Sequence, residues 1–293
     1  MTGPPCTTAE AKVTAARYSR WDGTQDPGAP DPQEVFSRLA EDVFQGWDFE
    51  FLNGRYVEGR TSWNYERLLG LRLAGAGTYL DLGTGGGELL SSMASLPRRT
   101  VATEGYRPNL QVALRRLNRR GVDVVFSFSD DNAATGMQRG VLPFRDATID
   151  LVSSRHEAFV AKETARVLRP GGAFVTQQVG PGNDEELALL LGEREDERGR
   201  WDLAEAVRQV RGAGLRVTES GEEKVRSSFL DIGALAYYLK AVGPLEFDAA
   251  SLAELERPLR EADSKIRTVG SFDVTASRFY LVAEKQGEDP SQH

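Results

Sequence analysis

The stretch that decides the fold is YLDLGTGGGELL, Tyr79 to Leu90. Tyr79 to Leu82 is predicted to end a buried strand, and Glu88 is predicted to begin a helix. The turn between them is almost wholly glycine, which tolerates positive φ and lets a ligand approach the backbone closely. The helix N-terminus adds free N–H donors and a partial positive charge. Strand, glycine turn and helix together predict a nucleotide-type cofactor site.

The spacing of the acid and the glycines indicates which cofactor fits this turn. The dinucleotide fingerprint G-x-G-x-x-G, begun at Gly83, requires a glycine where Glu88 stands. The pattern that fits is Asp81-x-Gly83-x-Gly85-x-Gly87. It resembles the first motif of the class I S-adenosylmethionine (SAM) methyltransferases, in which the turn faces the methionine part of SAM. The alternative is a glycine-rich turn that only connects a strand to a helix.

A second acid, Glu104, closes the short β-prone run Thr100–Thr103. An acid at the tip of the second strand can accept hydrogen bonds from both ribose hydroxyls. Taken alone, Glu104 would be interpreted as a solvated loop acid, but beside the glycine turn it predicts a ribose contact. Gly105 and Tyr106 follow it and are expected to lie against the same cofactor.

Two further segments extend the resemblance. LPFRDATIDLVSS, residues 142–154, is similar to the fourth-strand region of the type 11 group of these methyltransferases, and VLRPGGAF, residues 167–174, is similar to its helix end, proline–glycine turn and fifth strand. The resemblance covers about residues 60–220. It implies an α/β fold with a Rossmann-like, seven-stranded, mostly parallel sheet, an antiparallel last strand near Ser277–Ala283, and helices on both faces.

The resemblance also implies a set of residues around SAM. An acid after the third strand often contacts the adenine amino group in this family, and both Asp130 and Asp131 are candidates. The predicted cofactor contacts are Asp81, Gly83, Thr84, Gly85, Gly87, Glu104, Gly105, Tyr106, Asp130, Asp131 and Ser154.

His156 and Glu157 are the predicted catalytic residues. They follow the fourth strand, and ligands of open α/β sheets bind beyond the carboxyl ends of strands. The unperturbed pKa of histidine suits proton removal near neutrality, and Glu157 could orient His156 or contact the acceptor. The alternative is that both lie on the first turn of the next helix and only shape the pocket. Tyr65, Tyr237 and Tyr238 are predicted to contact the acceptor; for the last two, packing of a helix on the core is the alternative.

Three segments are expected in the chain. Residues 1–60 form an N-terminal helical arm, in which residues 11–45 are either a lid over the cofactor or a packing or dimerisation arm, so a homodimer stays open. Residues 61–285 form the methyltransferase domain, with a helical insertion at about 221–270 before the last strand. Residues 286–293 are expected to be a disordered tail.

Composition limits the other function classes. The 293 residues carry a net charge of −8, which argues against a partner bound through bulk phosphate neutralisation. Cys6 is the only cysteine, and His156 and His293 are the only histidines, so no metal site is expected. No leader segment is visible, and no apolar run approaches the roughly 20 residues that span a bilayer. A cytoplasmic protein without a membrane partner is expected.

The predicted function is SAM-dependent methyl transfer to a small-molecule acceptor, for example in specialised metabolism. Two alternatives stay open. One is an rRNA or tRNA methyltransferase, in which the arginines between Arg98 and Arg120 would contact backbone phosphates. The other is a SAM-binding protein of this fold that transfers no methyl group.

Overall fold

The computed structural model describes residues 49–127, 130–132, 137–192, 201–242 and 249–287. They divide into two compact units. The larger unit is built from residues 59–226 and from Val274 onward, and the smaller from Phe49–Glu58 and Ser227–Asp273. The helix expected within residues 11–45 lies outside the described residues, as does the chain beyond residue 287.

The described strands and helices have the following bounds. The strands are β1 (Tyr56–Val57), β2 (Thr78–Leu82), β3 (Arg99–Glu104), β4 (Asp123–Phe126), β5 (Asp130–Asn132), β6 (Met137–Arg139), β7 (Ile149–Arg155), β8 (Leu168–Val179), β9 (Leu215–Phe229) and β10 (Phe272–Lys285). The helices are α1 (Tyr65–Leu73), α2 (Glu88–Ser92), α3 (Arg107–Leu117), α4 (Ala161–Val167), α5 (Glu185–Leu191), α6 (Leu203–Gly212), α7 (Ile232–Val242) and α8 (Ala249–Val269). None of these helices is long and apolar enough to cross a membrane.

The sheet of the larger unit has the strand order β9-β10-β8-β7-β2-β3-β4. Neighbours from β8 through β4 run parallel, and β10 pairs with β8 in the antiparallel sense. The predicted Rossmann-like sheet with an antiparallel last strand is thereby confirmed. The strand count differs, because β1 adds an eighth strand by pairing with the last two residues of β9 inside the smaller unit.

Both faces of this sheet are covered by helices. Successive strand residues point to opposite faces, so Leu80 and Val152 belong to one core whereas their neighbours Tyr79 and Leu151 belong to the other. The first core includes residues of α4 and α6, and the second includes residues of α1 and α3. Burial on both faces is what a mostly parallel sheet requires.

Two strands differ from the sequence-based expectation. The proline–glycine segment lies inside β8, where Ile149 pairs with Leu168 but Leu151 pairs with Ala173, so residues 169–172 bulge out of the ladder. Strand β9 continues past Gly221 to Phe229, although a helical insertion was expected from about residue 221. A Cβ on Gly221 would stand 2.9 Å from a ring carbon of Tyr280, so this glycine makes room for a side chain on β10 rather than ending the strand.

The segment that carries Asp130 and Asp131 forms a small hairpin. Strands β5 and β6 pair antiparallel, with Asp130 opposite Arg139 and Asp131 opposite Gln138. The sequence placed these acids only after the third strand and did not predict the hairpin. The side chains of this hairpin lie outside what the structure describes, so the adenine contact stays a prediction.

Asp150 ties the beginning of β2 to β7. Its Oδ2 accepts the backbone N–H groups of Gly77 at 2.7 Å and Thr78 at 2.8 Å, and its other oxygen forms an ion pair with Arg169. The aspartate of the IDLV motif is therefore a structural residue.

We expect Asp150→Ala to lower the free energy of unfolding by about 2–3 kcal/mol, because two backbone donors lose a charged acceptor. Asp146→Ala is the matched control, since Asp146 pairs with Arg166 while its side chain stays 77% exposed; its loss should cost at most about 1 kcal/mol. Urea unfolding of both variants measures the difference. Equal midpoints would contradict the assigned anchoring role.

Candidate functional site

The glycine turn has the backbone geometry that its sequence predicts. Gly83, Gly85 and Gly87 have φ of +64°, +62° and +83°, a region that favours glycine. A Cβ on Gly83 would stand 2.1 Å from Cγ of Glu157, and a Cβ on Gly87 would stand 2.7 Å from Cγ of Leu117. The turn therefore depends on glycine both for its conformation and for the close approach of its neighbours.

Asp81 anchors the strand from which this turn leaves. Its carboxylate is 3% exposed and accepts the hydroxyl of Ser153 at 2.5 Å and that of Tyr79 at 3.3 Å. Burial raises the pKa of Asp81 to about 6, although these hydroxyls favour the charged form. The acid of the motif thus joins β2 to β7, and its contact with the cofactor stays a prediction.

Glu104 lies at the end of β3 beside the glycine turn. Its side chain is buried, and its carboxylate accepts the N–H of Tyr106 at 2.7 Å. Burial raises the pKa of Glu104, while the backbone N–H groups of Tyr106, Gly85 and Gly105 oppose that shift by hydrogen bonding. Thr84 joins the two strand ends, because its N–H donates to the carbonyl of Thr103 at 2.9 Å. The predicted ribose acid and the glycine turn therefore form one site.

Ser154 and Tyr65 hold the bend that follows β7. The Ser154 hydroxyl donates to the carbonyl of Glu157 at 2.8 Å, and the Tyr65 hydroxyl donates to the carbonyl of Ser154 at 3.3 Å. Both side chains are buried. The hydrogen bonds that they form are internal to the protein; the predicted contacts of Ser154 with the cofactor and of Tyr65 with the acceptor stay predictions.

Glu157 packs directly over Gly83. Burial raises the pKa of Glu157 to about 7, and the negative charges of Glu104 and Asp81 add to the shift. Three carboxyl groups thus meet at the ends of β2, β3 and β7. Neither Glu157 nor His156 lies on a helix, because α4 begins only at Ala161, so the alternative that placed them on a first helical turn is wrong.

His156 lies in a left-handed bend and is held by Gln177. Its φ is +56°, and its N–H donates to the carbonyl of Gln177 at 2.8 Å. Its Nε2 lies 3.2 Å from Nε2 of Gln177, whose Oε1 accepts the indole N–H of Trp63 at 2.9 Å. An indole can only donate, which fixes the orientation of the amide. The amide therefore donates to Nε2 of His156, and the ring proton is on Nδ1.

The electrostatic surroundings of His156 favour the same neutral form. His156 as a residue is exposed, but its ring is partly surrounded by protein atoms. This partial burial, together with the cations Arg155 and Arg278, lowers the pKa of the ring. A neutral ring whose Nε2 lone pair is occupied is a poor general base near neutrality. Its Nδ1–H is instead a hydrogen-bond donor.

Tyr237 and Tyr238 belong to α7 in the smaller unit. The Tyr238 ring is 9% exposed and packs on the rings of Phe229 and Tyr56, with centroids 5.1 and 5.8 Å away. The ring of Tyr237 lies 4.7 Å from that of Phe51. Both tyrosines therefore take part in aromatic packing within this unit, and their contact with an acceptor stays a prediction.

Trp63, Gln177 and Arg155 were not among the residues predicted from the sequence. A signal was present, because the run Thr176-Gln177-Gln178 places amides in an otherwise apolar strand, and all three side chains are buried. Buried amides require partners, which marks such a run as a network. Among the described residues no cluster of histidine, cysteine and acid side chains could hold a metal ion.

The tautomer of His156 can be tested because the chain has only two histidines. In the ¹⁵N spectrum of histidine-labelled protein at pH 6, we expect His156 to be neutral with the proton on Nδ1, whereas an ordinary imidazole is largely protonated there. Gln177→Leu should remove the preference for this tautomer, and Gln209→Leu, at a half-buried glutamine of α6 that donates to Glu205, should not. A protonated His156 at pH 6 would contradict the assignment.

Comparison with known proteins extends the resemblance seen in the sequence. Residues 80–176 match the type 11 model of the methyltransferase domain. A proposed methyltransferase from Bacillus halodurans C-125 is similar in structure with a TM-score of 0.53 and 17% identity, over 76% of this chain and 99% of that one. A protein of unknown function from Deinococcus radiodurans R1 has a TM-score of 0.52 and 16% identity, over 86% and 99%. No curated protein matches the chain.

These comparisons agree with the geometry of the site. At such identities the likeness of the structures shows the fold alone. The family match covers the segment that runs from the glycine turn through Glu104 and β7 to β8. The chain therefore contains a methyltransferase domain of the class I SAM-dependent methyltransferase fold.

Proposed function

We propose that this protein transfers a methyl group from SAM to a small-molecule acceptor. The observation that carries the proposal is the buried Glu104 carboxylate at the N–H groups of the glycine turn. Its partners on the protein are backbone donors, and a buried carboxylate can accept several hydrogen bonds. The two ribose hydroxyls are donors that would complete this set.

The residues around the turn fit the other parts of the cofactor. The carboxyl groups of Asp81, Glu104 and Glu157 place negative charge beside the glycine turn, where the methionine part with its sulfonium is proposed to bind. When bound, SAM supplies a methyl group made electrophilic by the positively charged sulfonium. Either Asp130 or Asp131 is proposed to contact the adenine.

The residues after β7 are proposed to act on the acceptor. His156 would hold it through Nδ1–H, and Glu157 would accept a proton from it. A carboxyl group with a pKa near 7 suits that task better than an imidazole whose pKa is lowered. A base is required only for a hydroxyl or a protonated amine; otherwise the task is to align the acceptor and exclude water.

The arginines near α3 favour a small molecule over RNA. Arg116 forms an ion pair with Glu88 and donates to the carbonyl of Gly86 at 2.7 Å. Arg120 donates to the carbonyls of Ser91 at 2.9 Å and Met93 at 2.7 Å. Arg116 and Arg120 thus hold α2 and the turn in place.

Methyl transfer from labelled SAM tests the proposal. The protein would be given a cell extract divided into a fraction below about 1 kDa and an RNA fraction, and label should enter the first. Label in RNA, with binding that weakens steeply as salt rises, would favour the RNA alternative. SAM binding without transfer to either fraction would favour a non-methylating role.

We expect Glu104→Ala to weaken SAM binding about ten- to hundredfold, because hydrogen bonds to a charged group are worth about 1.5–3 kcal/mol. Glu219→Ala is the matched control, since Glu219 pairs with Arg72 at an exposed position. Calorimetry with SAM measures both. Wild-type affinity in Glu104→Ala would refute the ribose assignment.

The pH dependence of cofactor binding tests Glu157. Its raised pKa leaves the carboxyl group partly protonated near pH 7, and the charged form favours the cationic sulfonium, so SAM affinity should rise between pH 6 and pH 8. If bound SAM lowers the pKa of Glu157 by one unit, the affinity for SAM rises about tenfold across this pH range. S-adenosylhomocysteine, whose sulfur is neutral, should show a smaller rise. Glu157→Gln should abolish the difference between the two ligands; its persistence would remove Glu157 from the cofactor site.

A further inference from the structure

We propose that the methyl acceptor carries an anionic group, a carboxylate or a phosphate, which Arg155 and Arg278 bind beside His156. This proposal rests on the proposed function, because the protein has a methyl acceptor only if it transfers a methyl group. The anion site itself is defined by residues that the cofactor motifs do not use.

The register of the sheet places both arginines on one face. Arg155 on β7 pairs with Gln177 on β8, and Gln177 pairs with Tyr280 on β10. Directly paired residues share a face, as do residues two apart on a strand, so Arg278 lies on this face too. Neighbouring strands are about 4.8 Å apart. The two arginines therefore flank Gln177 from strands separated by about 10 Å.

Arg155 has a donor that the protein leaves unused. Its Nε is buried and forms no hydrogen bond, and its guanidinium carbon lies 5.9 Å from the centroid of the Tyr65 ring. Within the described chain Arg155 has no carboxylate partner in an ion pair. A buried, unpaired guanidinium donor is costly. The oxygen of an anionic ligand is the acceptor that would satisfy it.

Arg278 is oriented by neutral groups. Its side chain is 9% exposed, and Nη1 donates to Oδ1 of Asn183 at 2.5 Å and to the carbonyl of Ser277 at 3.0 Å. Neither acceptor carries a charge. The guanidinium is thus fixed in place while its positive charge stays without a carboxylate among the described residues, as in Arg155.

His156 adds a third donor near these cations. Both arginines act on the ring and, together with burial, lower its pKa. The neutral ring keeps its Nδ1–H, which can donate to the same anion. Two guanidinium groups and one imidazole N–H form a set that recognises oxygens with negative charge.

Aromatic rings stand next to this set. The rings of Trp63 and Tyr280 are 4.8 Å apart, and both side chains are partly buried. Trp63 also fixes Gln177 through its indole N–H. A flat apolar body beside the anion would suit such a surface, which makes aromatic acids the natural probes.

The anion site adjoins the predicted cofactor site. Arg155 directly follows Ser154, which pairs with Leu82, the last residue of β2 before the glycine turn. Arg155 also acts electrostatically on Asp81 at the same strand end. A ligand held by Arg155 would therefore lie at the edge of the sheet where the methyl group is proposed to be presented.

Binding of three probes with the same ring tests the proposal. Benzoate, phenyl phosphate and benzamide are titrated by calorimetry into the full chain saturated with S-adenosylhomocysteine, and again without it. At least one anion should bind ten times more tightly than neutral benzamide, and which of the two does so identifies the anionic group. Arg155→Gln and Arg278→Gln should each weaken that anion about ten- to hundredfold, and Arg278→Lys should weaken it less.

Arg208→Gln is the matched control, because Arg208 is an exposed arginine of the same unit that pairs with Glu205. It should bind the anion as the wild type does. The proposal is overturned if neither anion binds more tightly than benzamide, or if both glutamine variants bind it as the wild type does. SAM binding is measured in the same samples. Its absence in the wild type would count against the proposed function, while the titration without cofactor still decides the anion site.

Discussion

A buried carboxylate at the end of β2 is the constraint on which the site depends. Asp81 pairs with Ser153 across the sheet and accepts its hydroxyl, together with that of Tyr79. A buried charge that lost these donors would be strongly destabilising. This requirement fixes the ends of β2 and β7 relative to each other. The glycine turn leaves from one of these ends, and the bend of His156 and Glu157 leaves from the other.

The charges around this junction are divided by sign. Asp81, Glu104 and Glu157 concentrate negative charge at the glycine turn. Arg155 and Arg278 place positive charge on the face of the sheet that also carries Gln177. Such a division would attract a cationic cofactor and an anionic acceptor to neighbouring positions. This division of charge agrees with the proposed cofactor and with the proposed anionic acceptor, and different residues support each.

The errors of the sequence analysis arose where packing overrode local pattern. A helical insertion was expected from about residue 221, but the missing side chain of Gly221 is what lets β9 pass the ring of Tyr280. A first helical turn was the alternative for His156 and Glu157, but the N–H of His156 donates to the carbonyl of Gln177 and the helix begins only at Ala161. Asp130 and Asp131 were expected only to follow the third strand, and the structure pairs their segment in a hairpin.

Through its resemblance to a known family, the sequence implied the mostly parallel sheet. By itself it determined the glycine turn and the pairing of that turn with Glu104. These features are local: positive φ selects glycine, alternating apolar residues select a strand, and an acid that closes a strand lies at the sheet edge. Only the tertiary structure decided the tautomer of His156 and the roles of Arg155 and Arg278. Those depend on Trp63, Gln177 and Asn183, which are distant in the chain and meet through strand register. Neither spacing nor composition predicts these contacts, because the packing of the whole sheet determines which distant residues come together.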